Sequence, residues 1–352
     1  MDKESKEDTI EQASVTVFNK RVIAILILVA TLITIPFVQH YRNQRTLPEK
    51  KLTDEPFVND GTLKENVNYW IAADVNSIRD VQQKKQVLYG KELIMHTSRY
   101  FGPKGSVLSI SNGLNCQNCH LRAGTAVFGN NYGSVASLYP KFRTRSGTVE
   151  NLYRRVNDCL ERSLNSKTID TAGKEMQAIV AYINFIGSNV AKGKKAEGSG
   201  LKYLAFIDRA ADPEKGKAIY TSKCQSCHQS NGEGQLNPVG NEYVYPALWG
   251  KHSFNDGAGL YRITNMAKYV KYNMPQGTTY KSPLLTDEQA WDVAAFVSAQ
   301  PRPHINEPND WPDISSKPAD HPFGPFADHF SEQQHKYGPF NEMKKNNYKR
   351  KK

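Results

Sequence analysis

Cys116-Gln117-Asn118-Cys119-His120 and Cys224-Gln225-Ser226-Cys227-His228 decide how this 352-residue chain folds. Both read C-x-x-C-H: two thiols three positions apart, then an imidazole. That spacing is the attachment signature of c-type haem, in which each thiol bonds one vinyl group and the adjacent His reaches the iron from one face. Zinc ribbons place their two Cys pairs about 15–20 residues apart, far closer than Cys119 and Cys224 stand here. A thioredoxin-like thiol pair needs a βαβ setting, and alternating strand patterns are scarce. Five Cys in this length is no disulfide scaffold, and Cys159 is left over from the two pairs.

Helical patterns run into both motifs, Gln86 to His96 before the first and Pro213 to Tyr220 before the second, with Pro213 suited to a first helical turn. Each unit also closes on an amphipathic helix. Met176, Ile179, Val180 and Ile183 follow the i, i+3, i+4, i+7 pattern in the first. In the second, Thr286 and Gln289 read as a capping box ahead of Trp291, Ala294, Ala295 and Ser298. Ala181-Tyr182-Ile183 and Ala295-Phe296-Val297 correspond. The expected fold class is mainly α: two small domains resembling class I cytochrome c, at residues 82–190 and 205–302, joined by a linker at 191–204. Residues 39–81 read as a linker and N-terminal extension, and 303–352 as an extended tail with a basic end.

Residues 22–38 carry no charge and are largely apolar. We read them as an uncleaved transmembrane anchor rather than a secretory signal, since no small-x-small site follows. Haem attachment of this kind is completed outside the bacterial cytoplasm, as the resemblance to c-type cytochromes implies. Residues 1–21 are then a cytoplasmic tail and everything after 38 faces the periplasm. The formal charge of +11 divides between the terminal tail and a set of arginines near Cys159. We expect no nucleic-acid partner.

Each iron needs a ligand opposite its His, or an open position. In class I units this is usually a Met in an apolar loop between the last two helices. Met274, in Tyr272-Asn273-Met274-Pro275-Gln276-Gly277, suits the second unit, with Met266 and His252 as alternatives. The first unit has no comparable Met, since Met176 lies on the closing helix and reads as core. In its place stands a helix buried through Leu152, Val156 and Leu160, whose other face carries Arg155, Cys159 and Ser163 at i, i+4, i+8. A lone Cys is ordinarily a small buried hydrophobe. Here the first haem otherwise lacks a sixth ligand, and Arg143, Arg145, Arg154, Arg155 and Arg162 crowd the segment. Nearby cations favour thiolate, the metal-binding form. The arginines read either as a solvated helix face or as a site for an oxyanion, which planar guanidinium binds bidentately.

With these residues the sequence resembles the dihaem thiosulfate dehydrogenase family, the tetrathionate-forming enzymes. The resemblance runs from about residue 65 to Phe340. It is carried by Cys116 to His120, Arg145, the helix Arg155 to Asn165, Glu175 to Tyr182, Ser253-Phe254-Asn255-Asp256-Gly257-Ala258-Gly259, Asn273-Met274-Pro275, and the tail Lys317 to Phe330. It implies two covalently bound haem c groups, held by Cys116 and Cys119 with His120, and by Cys224 and Cys227 with His228. It implies Cys159 as the distal ligand of a catalytic first haem, Met274 as that of the second, and Arg145, Arg155 and Ser163 lining the substrate site. Some members carry Lys before the Met; here Asn273 stands there. The implied reaction joins two thiosulfates into tetrathionate, or runs in reverse. Electrons exchange with a cytochrome c or another periplasmic partner. Two other readings stand beside it. One is a non-catalytic dihaem relay with Cys159 as a structural thiol. The other is a sulfur-oxidising dihaem enzyme that needs a carrier protein. His304, His321, His329 and His335 in the tail read as surface or packing residues.

Overall fold

The computed structural model describes residues 68–343. The apolar stretch 22–38 and the basic end 344–352 lie outside the described residues. Among those described, no helix is long and apolar enough to cross a membrane.

The first domain is built on α1 (Val81–Met95), α2 (Leu152–Ser163) and α3 (Lys174–Ile186). Asp80 starts α1 by accepting from the Gln83 amide at 2.6 Å, and Asn151 starts α2 by accepting from the Arg154 amide at 2.9 Å. Each side chain satisfies an amide that the first helical turn would leave unpaired. The second domain repeats the plan with α4 (Pro213–Lys223), α5 (Ile263–Asn273) and α6 (Asp287–Ala299). Thr286 and Gln289 cap α6 reciprocally, at 3.1 and 3.0 Å, as the sequence pattern predicts.

The two domains share one crossing. Where α1 passes α3, a Cβ on Gly90 would lie 1.9 Å from the Ala178 carbonyl oxygen and 2.8 Å from Tyr182 Cβ. Where α4 passes α6, a Cβ on Gly216 would lie 2.0 Å from the Asp292 carbonyl oxygen and 2.8 Å from Phe296 Cβ. The aromatic residues at these crossings are the two the sequence alignment of the closing helices pairs. Both glycines are required by close backbone approach, because either Cβ would overlap a carbonyl. Gly216→Ala should therefore destabilise the second domain. Better helix propensity contributes only about 1 kcal/mol, whereas forcing the helices apart costs about 1–3 kcal/mol or more. Thermal unfolding of the haem-loaded protein checks this, with a lowered midpoint expected; Gly90→Ala should behave alike in the first domain.

Several boundaries differ from the sequence reading. Trp70 and Ile78 belong to the buried core of the first domain, and the Trp70 indole donates to Asn189 Oδ1 at 2.9 Å. The segment before residue 82 is therefore partly domain rather than linker. The linker is also anchored at both ends, with Ala196 in the first core and Leu204 in the second. The tail is not wholly extended. It forms a short helix, α7 (Glu332–Tyr337), and then plugs Phe340 and Met343 into the second core. Three two-stranded antiparallel pairs were invisible to periodicity because each strand has only two or three residues: Gly129–Asn131 with Gly200–Leu201, Lys141–Arg143 with Thr148–Glu150, and Gln235–Leu236 with Tyr243–Tyr245.

The domains meet around Glu242, which is 9% exposed. One carboxylate oxygen accepts from His96 Nδ1 at 2.6 Å and Asn115 Nδ2 at 2.9 Å; the other accepts from Arg99 at 3.0 and 2.9 Å. Asn115 directly precedes Cys116. A second tie runs from the Tyr269 hydroxyl on α5 to the carbonyl of Asn118, inside the first haem motif, at 2.6 Å. The second domain thus grips the loop that carries the first haem's thiols.

Candidate active site

At each motif a backbone carbonyl fixes the imidazole. His120 Nδ1 donates to the Asn130 carbonyl at 2.6 Å, and His228 Nδ1 donates to the Pro246 carbonyl at 2.8 Å. A carbonyl can only accept, so the proton sits on Nδ1 and Nε2 keeps its lone pair for a metal. Burial lowers His120 to about 4 and moves His228 the same way, which keeps both rings neutral. The paired thiols are free of disulfides. Burial pushes Cys116 up to about 11, Cys119 to about 12 and Cys224 to about 11. A partly buried, disulfide-free pair of thiols beside an oriented imidazole fits covalent haem c. Among the described residues no group of three or more His, Cys, Asp or Glu could hold a separate metal ion.

The three candidates for the second haem's sixth ligand lie in different settings. Met266 is buried in the core on α5, and His252 is exposed. Met274 caps the C-terminus of α5, its amide donating to the Val270 carbonyl at 3.0 Å, and its side chain lies against the edge of the apolar core. In the first domain Met176 is fully buried on α3, so the core reading of it stands.

Helix α2 brings Cys159 to the first motif. After burial, a negative charge on Cys159 is among the influences that raise Cys116, Cys119 and Tyr132. The strongest influence on Arg155 is likewise Cys159, whose charge holds the guanidinium proton more tightly while burial works against it. Tyr132, stacked on the His120 ring with centroids 4.5 Å apart, and Tyr139, which feels both Arg155 and Cys159, complete the surround. Neither tyrosine stood out in the sequence. Ser163 closes α2 one turn beyond Cys159, and its carbonyl accepts from Asn112 at 3.4 Å.

The arginines are not a free cationic cluster. Arg145 binds Asp310 through Nε, Glu307 through Nη2 and the Gly257 carbonyl through Nη1, the last at 2.8 Å. Arg162 binds Glu307 through Nε, Asp310 at 3.4 Å and Asp158 at 3.3 Å. Asp158 in turn reaches Arg155 at 3.9 Å. Arg143 faces the buried Glu150 at 3.9 Å, and Arg154 is exposed, a solvated helix face. Asp158 and Arg162 stand at i, i+4, a pair the sequence could have yielded. Glu307 and Asp310 left no local signal, because they arrive from the tail.

Residues 108–191 match the family model SoxA/TsdA, cytochrome c domain, and residues 213–300 match Cytochrome c. The chain is 35% identical over 242 residues to the thiosulfate dehydrogenase of Psychrobacter arcticus, covering 68% of this chain and 70% of that one. The chain belongs to the thiosulfate dehydrogenase family. A further thiosulfate dehydrogenase, from Allochromatium vinosum, is 34% identical over 223 residues, covering 62% of this chain and 81% of that one. Among solved structures, the "as isolated" form of thiosulfate dehydrogenase (TsdBA) from Marichromatium purpuratum matches with a TM-score of 0.62 at 27% identity. That match covers 67% of this chain and half of that one. As a member of the thiosulfate dehydrogenase family, the chain carries two covalently bound haem c groups, one per domain.

Proposed function

We propose that the chain oxidises two thiosulfates to tetrathionate, 2 S₂O₃²⁻ → S₄O₆²⁻ + 2 e⁻, at the Cys159 side of the first domain, and runs the reverse reaction under opposite redox bias. The observation that carries this reading is the pairing of Arg155 with Cys159 beside Cys116, Cys119 and His120. An electron relay has no use for a guanidinium one helical turn from a free cysteine; a sulfur oxyanion does.

Cys116, Cys119, His120 and Cys159 would hold the first haem, and Cys224, Cys227, His228 and Met274 the second. When bound, the haems supply two one-electron acceptors, matching the two electrons of one turnover. The protein's part is to bind and orient. Arg155 draws a sulfonate toward Cys159, and Ser163 adds a hydroxyl donor from the same face of α2. Arg145 has three of its five N–H groups tied, and we assign the remaining two to a second sulfonate. Asp158 sits between Arg155 and Arg162 and limits where either can swing. The paired acids offset the charge of these arginines, so the dianion is recognised by directed N–H donors.

Steady-state assay with thiosulfate and with tetrathionate, together with a redox titration of both haems, tests the proposal. Absence of turnover in both directions would overturn it. Met274→Ala should lower the midpoint of one haem and leave the other in place, because a Met axial ligand raises the potential; a titration in which neither midpoint moves would remove Met274 as ligand.

We place the enzyme in the periplasm, held to the inner membrane by residues 22–38, with a small cytochrome c or similar carrier as electron partner. Haem c attachment outside the cytoplasm supports the first part, and the uncharged length of 22–38 supports the second.

A further inference from the structure

The tail segment 303–311 crosses from the second domain onto the end of α2. Asp256 accepts from the Ile305 amide at 3.0 Å and from His304 at 2.6 Å, and its own amide donates to the Pro303 carbonyl at 3.1 Å. Asn255 holds α2 itself: its amide donates to the Arg162 carbonyl at 3.1 Å, and its side-chain amide to the Glu161 carbonyl at 2.8 Å. Gly257 passes so close that a Cβ would lie 2.6 Å from Ile305 and 2.7 Å from Glu307. The Trp311 amide then donates to the Arg145 carbonyl at 2.6 Å. This built-up corner delivers Glu307 and Asp310 to Arg145 and Arg162, whose side chains are only 17% and 14% exposed.

Each acid bridges both arginines. The result is one chain of alternating charge: Arg145, then Glu307 and Asp310, then Arg162, Asp158 and Arg155, which ends at Cys159. A guanidinium held at Nε, Nη1 and Nη2 cannot rotate, so its remaining N–H groups are fixed in direction. We propose that Glu307 and Asp310 are positioning residues of the substrate site, which fix the direction of Arg145 and, through Arg162 and Asp158, that of Arg155. This rests on the reading of Arg145 and Arg155 as thiosulfate-binding residues. Neither acid is placed against substrate.

The full-length haem-loaded protein is compared with Glu307→Gln, Asp310→Asn and Glu307→Asp. Three quantities are read: thiosulfate affinity, from the perturbation of the oxidised visible spectrum; the split between KM and kcat; and the thermal midpoint. Glu307→Gln and Asp310→Asn should bind thiosulfate on the order of tenfold more weakly, since small misplacements of binding groups cost this much or more. KM should rise with kcat nearly unchanged, and Glu307→Asp should recover part of the loss because it keeps the charge. Tighter thiosulfate binding in Glu307→Gln would overturn the proposal and make the tail a competitor for the arginines. Unchanged binding with a lowered thermal midpoint would also overturn it and leave the acids as structural ties. Wild-type protein with neither turnover nor a spectral response to thiosulfate would instead sink the substrate reading itself.

Discussion

Cys159→Gly should lose thiosulfate turnover by on the order of a thousandfold or more while keeping both haems. The thioether bonds belong to Cys116, Cys119, Cys224 and Cys227, and His120 and His228 are oriented by the Asn130 and Pro246 carbonyls, so nothing in attachment depends on Cys159. The fold should tolerate the change, since Gly within a helix costs about 1 kcal/mol and Cys159 is only partly buried. What disappears is the side chain with the strongest influence on Arg155. Three measurements decide the matter. Haem content should stay at two per chain, the thiolate charge-transfer band of the oxidised protein should vanish, and steady-state oxidation should collapse. A variant with an unaltered spectrum and normal turnover would remove Cys159 from both haem ligation and catalysis.

Glu242→Ala should have the largest effect on stability. It removes the acceptor for His96, Arg99 and Asn115 at once. Breaking a buried charge cluster from one side costs about 3–5 kcal/mol; the half-exposed Arg99 can return to water, so about 2–4 kcal/mol is expected. The effect also depends on pH. Burial alone would raise the Glu242 carboxyl, but the His96 hydrogen bond and the His96 and Arg99 charges more than offset it, and it titrates below ordinary glutamate. A carboxyl lowered in the folded state contributes stability in full above the unfolded glutamate range, near about pH 4–5. That stability fades as pH falls through the lower folded value. The thermal midpoint of the wild type should therefore drop more steeply on acidification than that of Glu242→Gln. Parallel acid profiles would show that Glu242 is not the clamp.

Much of this molecule was legible in its sequence because the decisive signals are local. Two C-x-x-C-H motifs specify their cofactor within five residues, Thr286 and Gln289 cap a helix three positions apart, and Tyr182 and Phe296 sit at matching steps of matching helices. The face of α2 that carries Arg155, Cys159 and Ser163 follows from helical spacing alone. The acids that balance the arginines were illegible for the opposite reason. Glu307 and Asp310 meet Arg145 and Arg162 only after the tail has travelled back across the second domain, and Glu242 meets His96 from a loop rich in Asn and Gly. No periodicity encodes such encounters. The arginine count near Cys159 therefore overstated the local charge.

The glycine crossings carry one last implication. Gly90 with Ala178 and Gly216 with Asp292 hold the same frame in both halves, yet the chain between crossing and haem motif differs. From Gly216 it reaches Cys224 within the remainder of one helix. From Gly90 it passes through His96, Arg99, Asn112 and Asn115 before Cys116, and these four reach into the second domain, to Glu242 and to the Ser253 carbonyl. The shared crossing fixes each helix pair while leaving the approach to the haem motif free to differ, and the longer approach of the first domain serves as the hitch between the halves. The two halves are therefore not interchangeable, because the first carries a longer approach that receives Glu242 and the Ser253 carbonyl.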